Sequence, residues 1–349
     1  MDISKLLRKW YEKERRDLPW RGISDPYKIW VSEIILQQTR INQGMEYYHS
    51  FLEKFPDVFS LARAEISEVL NIWQGLGYYS RARNMHHAAR TIVNNYNGIF
   101  PENYESILQL KGVGQYTAGA IASIAFNESV PAIDGNVKRV ISRVYEIYDN
   151  PDKPSGHRRI HEKVLEILRD ERPGEINQAL MDLGSMVCKP KSPLCNECPL
   201  SYICQANIKG IAGKLPVKNR KLKTKNRFFY YCIISCGENL VINLRRGKDI
   251  WQLMYDFPLI ENNEKIEDDI LYKTISRKFF DNEEVIITKV SPEIIHVLSH
   301  QRIFTRFIHL GSKTLAKPAL SDYMIINKNR INDYPMPRLI HRYLEHHGL

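Results

Sequence analysis

Four of the six cysteines fall within seventeen residues: Cys188, Cys195, Cys198 and Cys204, spaced C-x6-C-x2-C-x5-C. Thiols packed this closely in a reducing compartment suggest a tetrathiolate metal site. Zinc ribbons generally use two C-x2-C knuckles, and this loop has one, Cys195–Cys198. The spacing therefore favours a [4Fe–4S] cluster over zinc. Pro190, Pro193 and Pro199 keep the loop from becoming helix. The cluster could brace it so that Lys189 and Lys191 face phosphate, or serve structure alone. Cys232 and Cys236 fall on an apolar stretch and are expected to be inert core residues.

A second candidate is LKGVGQYTAGA (110–120), between the helical runs YESILQL and QYTAGAIASIAF. Gly112 and Gly114 flank one valine, so the backbone can turn tightly and leave its amides exposed. Amides at a helix N-terminus make a phosphate seat that ignores base sequence. Glycine turns between helices are common, but Asp134 follows twenty residues after Gly114, in AIDGNVKRV. It heads the apolar stripe Val137, Val140, Ile141, Val144 and Tyr145. Asp is a favoured N-cap, so a helix should begin beside it.

The elements that must carry these groups are mainly helical from residue 1 to about 204. Leu6, Leu7, Trp10 and Tyr11 recur at helical spacing, as do Trp30, Ile34 and Ile35 within Pro26–Arg40. Residues 66–73 and 80–97 continue the pattern. Between Lys209 and Arg227 lie eight Lys or Arg and no acid, with Gly210, Gly213 and Pro216 among them. That reads as a linker, either merely solvated or touching a DNA backbone. Beyond it the pattern turns to strands: 228–236, 239–246, 284–290 and 303–310, interrupted by a helix near 265–280 and another at the end. The expected organisation is a mainly α domain over 1–204 with the metal loop at 188–204, a basic linker over 205–226, and an α+β domain over 227–349.

Length and charge agree. At 349 residues with 43% hydrophobic content the chain suits two cores. Fifty basic against 40 acidic residues give +10 and a pI near 9.2, which favours a polyanionic partner. No apolar run approaches the roughly 20 residues needed to span a bilayer. Charges run through the N-terminus, so no signal peptide is expected. A soluble cytoplasmic monomer without membrane contact is the expectation.

The hairpin, the aspartate at this spacing and the four-cysteine loop together resemble the helix–hairpin–helix glycosylase superfamily. Within residues 1–204, WVSEIILQQTR (30–40), GLGYYSRARN (75–84) and IDGNVKRV (133–140) resemble adenine DNA glycosylases of the MutY type. The resemblance implies two helical subdomains with an iron–sulfur loop and an active site in the cleft between them. It also implies a partner, double-stranded DNA with 8-oxoguanine:adenine or guanine:adenine mispairs. Breaking a bond between sugar and base calls for one carboxyl as acid and another supporting the cationic sugar. By resemblance, Glu33 protonates adenine and then helps activate water, and Asp134 stabilises the sugar, with Asn136 of the same motif beside it. By their residues alone, Glu33 could be an exposed surface glutamate and Asp134 an ordinary N-cap.

Tyr116 stands where relatives that also cut the backbone carry a lysine for a Schiff base. The resemblance thus implies a monofunctional glycosylase, with Lys111 or Lys138 able to add slight lyase activity. Gln38 and Tyr78 match positions that wedge into the duplex, and Thr39 lies on the damaged-base side. Tyr78 and Tyr79 could equally be core aromatics, and Arg81 and Arg83 serve packing or phosphate.

In the second domain, VINLRRGKDIWQLMYDFPLI (241–260) and VLSHQRIF (297–304) resemble the C-terminal, Nudix-like domain of the same family. The acidic R-E-x-x-E-E motif that binds Mg²⁺ in Nudix hydrolases is absent, so binding rather than hydrolysis is implied. Where the family has Phe-Ser-His to read 8-oxoguanine, this chain has Leu298, Ser299 and His300. Ser299 and His300 keep hydrogen-bonding capacity; Leu298 cannot stack like phenylalanine. Two other readings stay open: an oxidised-pyrimidine endonuclease, disfavoured by Tyr116, and a non-catalytic iron–sulfur DNA-binding protein, disfavoured by the pair Glu33 and Asp134.

Overall fold

The computed structural model describes residues 2–37, 39–169, 172–217, 224–281, 285–315 and 318–347. Two compact units emerge: Met1–Arg63 with Asn84–Arg220, and Ala64–Arg83 with Lys221–Leu349. The first holds α1 (Ile3–Glu14), α2 (Pro26–Leu36), α3 (Ile41–Lys54) and α4 (Val58–Arg63). Helix α5 (Ile66–Ile72) and the first residues of α6 (Ser80–Tyr96) belong to the second unit. The chain then returns to the first unit through α7 (Tyr104–Leu108), α8 (Gln115–Phe126), α9 (Gly135–Val144), α10 (Pro154–Ile167), α11 (Pro173–Met186) and α12 (Gln205–Ile208).

Helix α11 is the axis of the first core. It packs against α1, α8 and α9, and its Leu180 and Leu183 join Leu7, Val137, Val140, Ile141 and Val164 in one buried cluster. The stripe after Asp134 faces this cluster, as its spacing required. Helix α2, expected to reach Arg40, stops at Leu36; Gln37 turns to ψ 112° and Arg40 N-caps α3.

Residues 209–217 are more than a solvated tether. Leu215 is buried, and its carbonyl accepts a 3.0 Å hydrogen bond from Arg143 Nε. The basic residues Lys218, Arg220, Lys221 and Lys223 lie outside the described residues.

The second unit is a mixed sheet between helices. Its strands are β1 (Lys225–Cys236), β2 (Asn239–Leu244), β3 (Tyr255–Asp256), β4 (Leu259–Asn262), β5 (Ile286–Val290), β6 (Ile294–Val297), β7 (Gln301–Gly311) and β8 (Met324–Asn327), with α13 (Asp268–Phe279) and α14 (Arg338–His347). The order is β3-β2-β1-β7-β5; β4 also pairs with β1, β6 with β7 and β8 with β2. Strands β1 and β7 run parallel in continuous register from Lys225↔Gln301 to Ser235↔Gly311. Successive side chains of β1 face opposite sides. Tyr230, Cys232 and Ile234 pack with Leu271, Ile275 and Phe279 of α13. Tyr231 stacks on Phe307, which stacks at 3.8 Å on Tyr343 of α14. Cover on both faces explains why β1 reads as a continuous apolar run.

The short strands β3, β4, β6 and β8 were not legible as such in the sequence. Cys232 is buried as expected, but Cys236 is only half-buried at the strand end, where its thiol meets the Lys313 carbonyl at 3.4 Å. Among the described residues no helix is long and apolar enough to cross a membrane.

Candidate active site

Helix α2 begins at Pro26, with the Asp25 side chain accepting from Tyr27 and Lys28 amides. From Tyr27 to Ile35 nearly every residue is buried, so Glu33 is held at 9% exposure rather than on a surface. The hairpin brings Tyr116 to it. Gly112 has φ +84°, and a Cβ there would lie 2.5 Å from Asn84 Cβ; Gly114 then N-caps α8. Gly119 lets α8 approach the Pro131 carbonyl, which a Cβ would meet at 2.3 Å. This fixes the segment leading into Asp134.

The Tyr116 hydroxyl donates to Glu33 Oε2 at 2.6 Å, with Met181 Sδ at 3.2 Å. Asp134 caps α9: its Oδ1 accepts from the amides of Asn136 (2.9 Å) and Val137 (2.7 Å), and its Oδ2 accepts from Asn136 Nδ2 (2.7 Å). Asp134 is thus an N-cap, and the same carboxylate still feels Glu33 and Tyr116 electrostatically. Asn136 Oδ1 in turn accepts from Arg139 Nη2 at 2.8 Å.

Burial pushes the Glu33 carboxyl above its ordinary value; the Tyr116 hydroxyl and Arg21 oppose this and Asp134 reinforces it. Burial also raises Asp134, opposed by the Val137 and Asn136 donors and by Arg139. Three short hydrogen bonds and a helix N-terminus favour the Asp134 anion. Glu33 receives one hydroxyl. Of the two, Glu33 is therefore the better proton holder.

The cysteine loop lies beyond α9. Cys188, Cys195, Cys198 and Cys204 line one pocket, walled by Val140, Val144, Leu183 and Leu200. Burial pushes the Cys198 thiol up to about 12 and raises Cys204. Among the described residues no group of three or more His, Cys, Asp or Glu is arranged to hold a metal ion; the four thiols line a shared pocket. Two arginines that sequence reasoning missed shape the loop. Arg139 donates to the Cys188 carbonyl (2.7 Å) and the Gly184 carbonyl (2.6 Å). Arg143, fully buried, donates to Lys189 O (2.8 Å) and reaches Cys188 Sγ at 3.3 Å. Their only sequence signal was a pair of cations four residues apart on an apolar helix.

The remaining candidates divide. Gln38 lies outside the described residues. Thr39 is half-buried, with its amide on the Leu36 carbonyl at 3.2 Å. Lys138 is ion-paired to Asp152 at 2.7 Å. In the second unit, Tyr78 has φ +48° and is 46% exposed, whereas Tyr79 is core. The Tyr78 hydroxyl is hydrogen-bonded to Ser299 Oγ, and Arg81 stacks over its ring. Leu298, Ser299 and His300 form the turn joining β6 to β7, with the Leu298 amide on the Gln301 carbonyl at 2.9 Å. Tyr78, Ser299 and His300 line one cavity of about 590 Å³ together with Trp251, which falls within the 241–260 motif, and with His296 and Arg338, which no sequence motif had singled out.

Residues 31–166 match the family model described as HhH-GPD superfamily base excision DNA repair protein, and residues 230–346 match that of the NUDIX domain. An adenine DNA glycosylase of Buchnera aphidicola subsp. Acyrthosiphon pisum is 35% identical over 303 residues, 84% of this chain and 85% of that one. The chain belongs to the adenine DNA glycosylases. The human adenine DNA glycosylase is 42% identical over 209 residues, covering 57% of this chain and 38% of its own. Among solved structures, a thermostable thymine-DNA glycosylase superposes with TM-score 0.55 at 29% identity, over 59% of this chain and 95% of that one. A trapped endonuclease III–DNA covalent intermediate reaches TM-score 0.51 over 60% of this chain and 95% of its own; at 22% identity it supports the fold alone. The expected fold class is borne out: a helix–hairpin–helix unit and a Nudix-like sheet.

Proposed function

We propose that this chain removes adenine opposite 8-oxoguanine or guanine in duplex DNA, hydrolysing the N-glycosidic bond without cutting the backbone. The observation that carries the reading is the buried Glu33 carboxyl, held by Tyr116 within electrostatic reach of Asp134. The partner is double-stranded DNA, met by a cytoplasmic monomer. Exposed amides around Gly112 and Gly114 hold a phosphate. Adenine leaves the stack at a cost of a few kcal/mol, with Tyr78 and Gln38 filling the gap and Thr39 beside the damaged base.

Glu33 gives its proton to a ring nitrogen of adenine. The C1′–N bond then breaks, its electron pair leaving with the neutral base. The Asp134 carboxylate, fixed by Asn136 and the α9 amides, faces the cationic sugar. Glu33, now ionised, takes a proton from water as its oxygen bonds to C1′. Tyr116 has no amine for a Schiff base, and Lys138 is occupied by Asp152.

Ser299 and His300 read the opposite base, with Leu298 taking the place of the family's phenylalanine. Cys188, Cys195, Cys198 and Cys204 suit a [4Fe–4S] cluster: all four line one apolar-walled pocket, and Arg143 directs a donor at Cys188 Sγ. When bound, the cluster braces the 188–204 loop. We place the domain limits at 1–204 and 227–349, with 205–226 between.

The test is a panel of duplexes pairing adenine with 8-oxoguanine, guanine or thymine, plus one carrying thymine glycol. The expected product from the first two is an abasic strand that breaks only after alkali. Release from thymine glycol alone would point to an oxidised-pyrimidine enzyme.

A further inference from the structure

We propose that α10 carries a second seat for a backbone phosphate, on the strand from which the base is removed. This rests on the duplex-DNA reading above. A cavity of about 250 Å³ in the first unit is lined by Gln115, Tyr116, Ile133, His157, Arg158 and His161, among others. Two of these, Gln115 and Tyr116, open α8 directly behind the hairpin. Tyr116 carries the bond to Glu33, and Ile133 precedes Asp134. The cavity therefore shares its wall with the site of chemistry.

Its other wall carries one fixed cation, Arg158, beside two imidazoles. His157 and His161 are one turn apart on α10, with ring centroids separated by 6.4 Å, and Arg158 lies between them. Two carboxylates of the segment leading into α10 are already engaged, Asp152 with Lys138 at 2.7 Å and Asp149 with Arg159 at 2.5 Å; Glu162, one turn after Arg158, is exposed and forms no ion pair with it. Among the described residues Arg158 pairs with no carboxylate, and neither histidine spends a side-chain hydrogen bond on the protein. Burial and the positive charge of Lys138 hold His157 below its ordinary value. Such surroundings repel a metal cation, which a histidine pair at this spacing could otherwise ligate, and attract an anion. An arginine flanked by imidazole donors can meet a phosphodiester with several charge-assisted hydrogen bonds. Gln115 and Tyr116, the first residues of α8, follow the hairpin directly and line this cavity, so a strand held by the hairpin amides would pass close to it.

The test uses the full chain and an 8-oxoguanine:adenine duplex, with Kd taken from the protein dependence of the single-turnover rate. Arg158→Ala should raise Kd about tenfold, and the salt slope should flatten by about 0.9, the share of a single phosphate. The maximal rate should hold. Arg158→Lys should restore the slope, and His157→Ala with His161→Ala should weaken binding in the same direction. Methylphosphonates placed one at a time should reveal one position that weakens the parent protein but not Arg158→Ala. Unchanged salt slopes with equal sensitivity at every phosphate would overturn the seat. If the parent protein neither binds nor processes the duplex, the broader reading fails first and the seat with it. Thermal melting of each variant separates misfolding from a specific weakening at the phosphate.

Discussion

Tyr116 donates its hydroxyl proton to Glu33 across 2.6 Å, although 83 residues separate them in the chain. The bond joins the first turn of α8, directly after the Gly112–Gly114 hairpin, to α2, which carries Glu33. Tyr116 thereby fixes one oxygen of the buried Glu33 carboxyl.

The buried carboxyl has a consequence for stability. Glu33 is raised above 4.5 in the folded chain, chiefly by burial. Below that pH it is protonated folded and unfolded alike, and ionisation costs the fold nothing. Above it the unfolded chain ionises first, so stability falls as pH rises toward the folded value. Glu33→Gln, which needs no ionisation, should therefore melt higher than the parent at pH 7, and the gap should close near pH 4. A lower melting temperature at neutral pH would contradict this.

Asn136 links Asp134 to Arg139 through both ends of its amide. Asn136→Ala removes one of three donors to the Asp134 carboxylate. It should cost about 1–2 kcal/mol of stability and slow adenine release about tenfold, with duplex affinity retained. A loss of affinity with an unchanged maximal rate would assign Asn136 to binding instead.

Ser299 and His300 share their cavity with Tyr78. Changing both to alanine should narrow the preference for 8-oxoguanine over guanine by about 1–3 kcal/mol, the worth of hydrogen bonds to a base edge. The measurement is the ratio of single-turnover rates on the two pairs. Point variants suit this better than truncation near Asn226, because Ala64–Arg83 packs with the C-terminal segment. Leu298→Phe should raise the ratio if stacking limits the present protein.

Purified without oxygen, the protein should be brown with four irons per chain. Cys198→Ala should lose the colour and much of the iron. Stoichiometric zinc in the parent protein would refute the cluster.

Legibility followed the locality of the cause. The Asp134 cap, the Gly112 turn and the cysteine spacing are short-range and could be read directly. Glu33 could not be judged buried from its own helix, because its cover comes from distant segments. Arg139 and Arg143 were invisible for the same reason: their partners are carbonyls at 184–215. The stretch 64–83 looked like one more helical piece, and its association with the sheet unit depends on packing that no local pattern encodes. Strands such as β6 were missed because four residues give too few alternations to count.

The central claim is that two carboxylates divide the chemistry, with Glu33 as the acid and Asp134 as the anion. The most direct measurement is the single-turnover rate of adenine release from an 8-oxoguanine:adenine duplex by Glu33→Gln and Asp134→Asn. Each should fall at least about a hundredfold, the usual contribution of a positioned acid or base, while duplex binding persists. A near-normal rate in either variant would contradict the account.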